Sequence, residues 1–226
     1  MKVSDIQVTA IHPERWGNDL DVVNAARVSF NKEAEFEEHI HLDKTIYVLS
    51  EKDKKLINYL AKHKHFSPFN HSFISVRVKA PIFVARQLVK HKFMPWNEVS
   101  RRYVDEEPEF YMPFLRERAE NVKQGSSDLP MPAMWHSAGL EHTKNMLSYY
   151  EGAIAAGMAP EVARSFLPQN MMTEWIWSGT LGAFCDMLVL RLDPHTQYES
   201  RIVANKIKEL IEPVFPVSLK ARLENA

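Results

Sequence analysis

Strand-like and helix-like segments do not alternate strictly along this chain, which argues against a doubly wound parallel sheet. The segment "HSFISVRVKA" (71–80) places Ile74, Val76 and Val78 on one face and predicts a half-buried strand. Pro81 follows at once and occupies the first turn of a predicted helix. Further on, an extended segment precedes two successive helices with no strand between them. The order of elements therefore predicts an α+β fold.

Capping residues predict where several helices begin. Asn18 or Asp19 lies near the start of one predicted helix, and Ser50 is the expected N-cap of a second. Asp193 is the expected N-cap of the last long helix, because a proline follows it at the first helical position. The polar segment "FNKEAEFEEHIHLDK" (30–44) is instead expected to be an exposed loop or the edge of a helix.

Composition limits the classes of function. The chain has 226 residues without repeats or a low-complexity linker, so we expect a single domain, 1–226. Its net charge of −1 argues against a general nucleic-acid or membrane-surface binder. The sequence shows no signal peptide and no apolar run long enough to span a membrane, so we expect a soluble cytoplasmic protein. Cys185 is the only cysteine, which excludes a disulfide framework and a cysteine-based metal site.

The stretch "KHKFMPWNEVSRRY" (90–103) concentrates positive charge in an otherwise neutral chain. Cations at the end of a helix interact favourably with its dipole, and a solvated basic loop is a second structural explanation. Neither explains why Arg101 and Arg102 follow so closely after the amide of Asn97, the carboxylate of Glu98 and a serine hydroxyl. Arginine binds phosphate through paired hydrogen bonds, and amide and hydroxyl groups can bind the edge of a base. The stretch therefore predicts a site for a small phosphorylated ligand with a planar ring.

The same stretch resembles the signature of the flavin-dependent thymidylate synthases, which is Arg-His-Arg, seven residues, then Ser. Here the pattern is Lys90-His91-Lys92, seven residues, then Ser100. Five further segments resemble the family in the same order: "NAARVSF" (24–30), "HFSPFNH" (65–71), "VKAPIFVARQ" (78–87), "VARSFLP" (162–168) and "LRLDPHTQYE" (190–199). The resemblance covers most of the chain.

The resemblance implies both a reaction and an architecture. Members of the family convert dUMP to dTMP with methylenetetrahydrofolate as carbon donor and an FAD that NADPH reduces. They have an α+β fold, in which a curved, mostly antiparallel sheet packs with helices. They assemble as homotetramers whose subunits share the active sites. We therefore expect dUMP, folate and further copies of this chain as partners, and neither nucleic acid nor a membrane.

The resemblance also implies site residues, carried over position by position. Arg191 matches the arginine that stabilises the ionised uracil ring and is the expected catalytic residue. The expected dUMP-binding residues are Gln87, Lys90, Glu98, Ser100, Arg101, Arg102, Arg164 and Arg191. The expected FAD-binding residues are Ser29, His65, Ser67, Lys90, His91, Lys92, Glu98, Thr180, Leu181, Gly182 and Asp186.

Several positions depart from the family pattern. Lysine replaces both signature arginines at Lys90 and Lys92, so paired hydrogen bonding is lost there while the positive charge remains. Pro95 stands where the family often has serine, and Gly182 and Asp186 replace an arginine and an asparagine. These departures leave open a related enzyme that makes a different 5-substituent, such as hydroxymethyl. A single-stranded nucleic-acid binder is a third alternative, which the neutral net charge disfavours.

The chemistry of uracil methylation limits which side chains could take part in catalysis. Carbon C5 must become nucleophilic, either through addition of a thiolate or through fixed cations that stabilise negative charge on the ring. Cys185 lies in an apolar helix, where a thiol has a raised pKa and little thiolate. Ser100 has no evident neighbouring base. Arg191 and Arg164 suit the second route, so we expect no side chain to attack the ring.

Structural roles remain open for several of these residues. Arg164 could cap or pair within its own short helix, and Arg191 could form a salt bridge with Asp193 or Glu199. Structural roles are likewise open for His65, His71, His195, Trp175 and Trp177.

Overall fold

A four-stranded antiparallel sheet with helices packed around it forms the centre of the molecule. The computed structural model describes residues 1–41, 44–103, 106–120 and 125–226. The strands are β1 (Lys2–Val3), β2 (Gln7–Ala10), β3 (Glu37–His41), β4 (Lys44–Val48), β5 (Phe73–Pro81), β6 (Trp96–Glu98), β7 (Glu109–Phe110) and β8 (Met172–Thr180). The helices are α1 (Asp19–Arg27), α2 (Glu51–Lys62), α3 (Ile82–Leu88), α4 (Ala133–Ala155), α5 (Pro160–Ala163), α6 (Leu181–Arg191), α7 (Tyr198–Ile211) and α8 (Pro216–Glu224).

The central sheet has the order β2-β5-β8-β6, and every neighbouring pair in it is antiparallel. In β5, Ile74, Val76 and Val78 are fully buried, as the alternating pattern predicts. In β8, Trp175 and Trp177 lie opposite the last two of these residues and are 1% exposed. The expected α+β fold with an antiparallel sheet is therefore confirmed, and both tryptophans belong to the core.

Two of the expected helix starts are confirmed by capping hydrogen bonds. The Asn18 side chain accepts a hydrogen bond from the backbone N–H of Leu20 at 2.8 Å, and the Asp21 carboxylate accepts one from the backbone N–H of Asn18. The Ser50 hydroxyl accepts a hydrogen bond from the backbone N–H of Asp53 at 3.1 Å. Each such cap stabilises the helix by roughly 1 kcal/mol.

The expected N-cap of the last long helix is wrong. Asp193 lies in a turn, where its carboxylate accepts a hydrogen bond from the backbone N–H of His195 at 2.7 Å. The helix α7 begins four residues later than a start at Pro194 would give, with Gln197 as its N-cap residue. The side chain of Gln197 is held by Gln87 of α3, so tertiary contacts determine where the helix starts.

The polar segment 30–44 also differs from its prediction. Residues 37–41 pair with residues 44–48 as the antiparallel hairpin of β3 and β4, in which His39 lies opposite Ile46; residues 42–43 lie outside the described part of the chain. The described side chains at 37–40 and 44–47 are all exposed, with Ile40 at 82%, so these residues form no buried face. Without a buried face the segment has no alternating pattern, so its sequence does not reveal the strand.

None of the helices in the described ranges is long and apolar enough to cross a membrane.

Candidate active site

The short helix α3 separates two groups of polar side chains. It begins directly after β5, because Pro81 ends the strand and its fixed φ suits the entry to a helix. Ile82, Arg86 and Val89 on one face line an open cleft. Gln87 lies on a different face and is hydrogen-bonded to residues at the start of α7.

The cleft has a volume of about 770 Å³ and is lined on the opposite side by the stretch that follows β6. It contains five of the expected nucleotide-binding residues: Glu98, Ser100, Arg101, Arg102 and Arg164. Four arginines and a lysine line it together with four carboxylates, which are Glu98, Glu106, Glu109 and Glu174. The four guanidinium groups of the lining suit a phosphate.

Some of the cations in the cleft are already paired within the chain. Lys79 forms a 2.7 Å salt bridge with Glu109. Arg164 donates to the backbone carbonyl of Glu161 at 3.4 Å, which is the structural role left open for it by the sequence. Arg86 lines the cleft without an ion pair to any other described residue, and it was not among the expected site residues. In the sequence, Arg86 stands four residues before Lys90, the spacing of one helical face, which was the available signal, although α3 ends at Leu88.

Glu98 and Ser100 are held in defined positions. The Glu98 carboxylate accepts hydrogen bonds from the Thr173 hydroxyl at 2.7 Å and from the Trp96 indole at 3.0 Å. The Ser100 hydroxyl accepts a hydrogen bond from the backbone N–H of Arg102 at 3.3 Å. Across the described residues, no basic side chain hydrogen-bonds to this hydroxyl, so it is a weak nucleophile.

Arg191 lies at the end of α6 and belongs to the second group. Its Nε donates to Nε2 of His91 at 2.9 Å, and its Nη2 donates to the backbone carbonyl of Gln87 at 3.1 Å. The salt bridges to Asp193 or Glu199 that the sequence left open do not form between these described residues. Burial lowers the pKa of Arg191 but leaves the guanidinium a cation.

His91 is neutral beside this cation. Burial, and then the neighbouring charge of Arg191, lowers the pKa of His91 to about 4. Its Nε2 therefore keeps the lone pair that accepts the hydrogen bond from Arg191. The ring proton is consequently on Nδ1.

The expected nucleotide-binding residues thus form two separate groups in one copy of the chain. Glu98, Ser100, Arg101, Arg102 and Arg164 line the cleft, whereas Gln87 and Arg191 are absent from its described lining. Lys90 is exposed on the turn after α3. We call Gln87, His91 and Arg191 the donor face.

Comparison with known proteins identifies the family of the chain. The family described as "Thymidylate synthase complementing protein" matches residues 14–217. A flavin-dependent thymidylate synthase of Thermotoga neapolitana is 35% identical over 210 residues, which are 93% of this chain and 88% of the relative. The chain belongs to the flavin-dependent thymidylate synthase family.

Further relatives agree with this assignment. A flavin-dependent thymidylate synthase of Wolbachia pipientis is 36% identical over 214 residues, covering 92% of this chain and 71% of the relative. Among solved structures, the UMP/dUMP methylase PolB from Streptomyces cacaoi bound with 5-Br dUMP matches with a TM-score of 0.82 and 27% identity. That match covers 98% of this chain and 96% of PolB, and a second PolB structure, bound with 5-Br UMP, also gives a TM-score of 0.82.

Membership in the flavin-dependent thymidylate synthase family implies FAD, and part of the expected flavin segment is brought together around Asn70. The Thr180 hydroxyl donates to the Asn70 side-chain oxygen at 2.6 Å, and Ser67 begins the same short 3-10 helix, Ser67–Asn70. A Cβ added to Gly182 would lie 2.3 Å from that oxygen, so only glycine allows this close approach. Leu181 has a fully buried side chain, and its backbone N–H donates to the carbonyl of Ser72.

Four of the remaining expected flavin residues carry exposed groups suited to FAD. Lys90 and Lys92 are exposed cations suited to a diphosphate, and exposed Ser29 and His65 can hydrogen-bond to hydroxyl groups. The Asp186 carboxylate is occupied by a salt bridge with Arg222. The exposed groups of Lys90, Lys92, Ser29 and His65 therefore fit a flavin dinucleotide, whereas Asp186 offers no free carboxylate.

Cys185 is fully buried in α6, and burial raises the pKa of its thiol to about 12. Replacing Cys185 with alanine should therefore leave methylation activity within about twofold of the original rate, since a protonated, enclosed thiol is no nucleophile. The substitution should cost roughly 1 kcal/mol of stability through lost packing. Initial rates and a thermal melt check both values. A loss of activity in a variant that keeps its melting temperature would contradict the absence of a role for the thiol.

Proposed function

We propose that this chain is a methyltransferase that converts dUMP to dTMP with methylenetetrahydrofolate as carbon donor and FAD and NADPH as the reducing system. The observation that carries the proposal is the pairing of an arginine-rich cleft with a separate face that carries Arg191, in a chain of this family. A nucleoside monophosphate needs both, because its phosphate requires paired donors and its ring requires oriented ones.

In the cleft, Arg101 and Arg102 are assigned to the phosphate. Arg102 is exposed and lies over the ring of Tyr103 at 5.0 Å, which leaves its hydrogens free to reach a ligand. Glu98 and Ser100 lie on the same wall and offer acceptors and a hydroxyl donor to the rest of the nucleotide.

Arg191 is assigned to the uracil ring. Two of its donor groups are fixed by His91 and by the backbone of Gln87, so the rest of the guanidinium has a set orientation. A cation preorganised in this way stabilises negative charge as it develops on the ring and raises the nucleophilicity of C5 without a covalent bond to the protein. Ser67, Thr180, Lys90 and Lys92 are assigned to hold FAD, which in its reduced form would supply the hydride for the new methyl group.

We further propose a homotetramer, in which the cleft of one copy meets the donor face of another. Support comes from the separation of the two groups by α3, since a nucleotide bound in one copy's cleft would otherwise miss Arg191. Exposed aromatic and apolar side chains on and near α4 provide surface for such an assembly. They are Met134, Trp135, Tyr149, Val162 and Phe166, with exposures from 44% to 69%.

An alternative substrate and an alternative product are also candidates. PolB is named a UMP/dUMP methylase, so UMP is an alternative substrate for this chain. The replacement of the signature arginines also keeps a hydroxymethyl product under consideration.

The deciding experiment incubates the purified protein with dUMP or UMP, methylenetetrahydrofolate, FAD and NADPH, and determines the mass of the nucleotide product. A gain of one methyl group on dUMP supports the proposal, whereas a hydroxymethyl product or conversion of UMP alone assigns one of the alternatives. Mass photometry and the absorption spectrum test the tetramer and the bound flavin. A colourless monomer without methylation activity would refute the proposed function.

Replacing Arg102 with alanine is expected to weaken dUMP binding by roughly 10- to 150-fold, because a hydrogen bond to a charged group contributes about 1.5–3 kcal/mol. Titration of dUMP into the flavin-loaded protein measures the change. Arg15→Ala is the matched control, since Arg15 is an exposed arginine whose only ion pair among the described residues is with Glu14. Equal dUMP affinity in both variants would remove Arg102 from the phosphate site.

A further inference from the structure

The last helix, α8, is fixed at its start by a distant carboxylate. Asp19 is 4% exposed, and its two oxygens accept hydrogen bonds from the backbone N–H groups of Val217 and Ser218, both at 2.8 Å. These N–H groups belong to the first turn of α8, where a helix has no internal acceptors for its donors. Because Asp19 begins α1, this cap ties α8 to α1 and holds it in a defined position.

Arg222 lies in the last turn of α8 and contacts two other elements. Its Nη2 forms a salt bridge with Oδ1 of Asp186 on α6, and its guanidinium carbon lies 5.4 Å from the centre of the Phe69 ring. The side chain of Arg222 is 13% exposed, and Phe69 is fully buried. A guanidinium group that lies over an aromatic ring and also pairs with a carboxylate is held in one orientation.

The two contacts of Arg222 fall on two segments that carry expected FAD-binding residues. Phe69 belongs to the 3-10 helix Ser67–Asn70. Asp186 lies four residues after Gly182, which places the two residues on one face of α6. A Cβ added to Gly182 would lie 3.6 Å from the Cβ of Phe69, so the 3-10 helix packs against the start of α6. Arg222 therefore bridges the two segments where they meet.

Few polar side chains join these two segments. Gly182 has no side chain to contribute. In the described part of the chain, the polar side-chain contacts between the segments are the 2.6 Å hydrogen bond from Thr180 to Asn70 and the bridge that Arg222 makes from α8. A change at Arg222 therefore removes a large share of what fixes the spacing of the two segments.

We propose that Arg222 is a positioning residue for FAD, which fixes the 3-10 helix relative to the start of α6. Arg222 acts through Phe69 and Asp186 rather than by contact with the cofactor. The inference rests on the proposed function, which assigns Ser67 and Thr180 of these segments to FAD.

The test measures the dissociation constant of FAD by equilibrium dialysis of the FAD-loaded protein without substrates. Arg222→Met keeps an unbranched side chain for packing but removes both contacts of the charge, so the dissociation constant should rise by at least roughly fivefold. Arg222→Lys keeps the charge but not the planar group, so its dissociation constant should lie between the two and at least about twofold above the original.

Lys220→Met is the matched control, because Lys220 lies on the same helix, is 72% exposed and pairs with Glu224 at 3.9 Å. Its FAD dissociation constant should stay within about twofold of the original. An equal loss of FAD affinity in Lys220→Met would refute the inference, because the effect would then come from the charge of α8 and not from the contacts of Arg222.

Urea unfolding of the same variants separates positioning from stability. A merely structural role would lower the free energy of unfolding of Arg222→Met and leave the FAD dissociation constant of the folded protein unchanged, and that result would refute the inference. If Arg222→Met fails to fold, Arg222→Lys decides, and an unchanged dissociation constant in that variant would overturn the positioning role. An unmodified protein that retains no FAD would instead refute the proposed function itself.

Discussion

Replacing Arg191 with alanine is expected to lower kcat by roughly 100-fold or more, the loss typical of removing one preorganised donor at developing charge. The dUMP dissociation constant should change much less, because the charge on the ring grows during the reaction and is small in the bound substrate. Single-turnover rates of methyl transfer and separate dUMP titrations distinguish the two effects.

The variant Arg191→Lys tests whether positive charge alone is sufficient for activity. Lysine keeps the positive charge but cannot donate to His91 and to the Gln87 carbonyl in the same geometry, so its activity should lie between those of the original protein and the alanine variant. Arg15→Ala again controls for the loss of a surface charge. A full turnover rate in Arg191→Ala, or a raised KM alone, would exclude the assigned role.

The second large effect concerns the ion pair of Arg116 and Glu199, whose side chains are 11% and 1% exposed. Arg116→Met should lower the free energy of unfolding by about 3–5 kcal/mol, because it leaves the Glu199 carboxylate buried without its partner. Arg116 also lies over the ring of Tyr198 at 4.6 Å, so the substitution removes a cation–π contact as well. Urea unfolding followed by tryptophan fluorescence measures the loss.

Lys54→Met is the control for this comparison. Lys54 and Glu51 form a 2.7 Å pair whose side chains are 37% and 79% exposed, so breaking it should cost about 0–1 kcal/mol. Adding Glu199→Gln to Arg116→Met should recover part of the lost stability, since it removes the unpaired charge. If Arg116→Met lowers the free energy of unfolding by less than Lys54→Met does, the buried pair contributes little to stability.

The elements that follow from the sequence are those with strong local signals. Asn18 and Ser50 cap helices through their own short side chains, which requires no knowledge of distant residues. The buried residues of β5 alternate with polar ones, so Ile74, Val76 and Val78 identify both the strand and its inner face.

Other features depend on contacts between distant residues. The start of α7 follows from the bond between Gln197 and Gln87, which are 110 residues apart, whereas Asp193 and Pro194 have the local pattern of a cap. The hairpin of β3 and β4 exists through pairing of two segments with no buried face. Neither feature has a local signal.

The arrangement of the candidate site also depends on contacts between distant residues, so it could not be predicted from the sequence. The resemblance identifies both Gln87 and Arg102 as nucleotide-binding residues, but residue order does not indicate that α3 holds them apart. Adjacent residues of a helix lie about 100° apart, so Arg86 and Gln87 face different surfaces. The hydrogen bonds from Gln87 to Gln197 and from Ser200 to Gln87 have no local signal either, because they form only where α7 packs against α3.

The position of β8 between β5 and β6 has a consequence for synthesis of the chain on the ribosome. Ser75 and Ser178 face each other across two neighbouring strands although 103 residues separate them in the sequence. At a translation rate of about 5–20 residues per second, β8 is made roughly 5–20 s after β5. During that interval the edge of β5 that pairs with β8 has no partner strand, although β2 can already pair with the other edge, so the open edge is exposed to pairing with other chains until β8 is made.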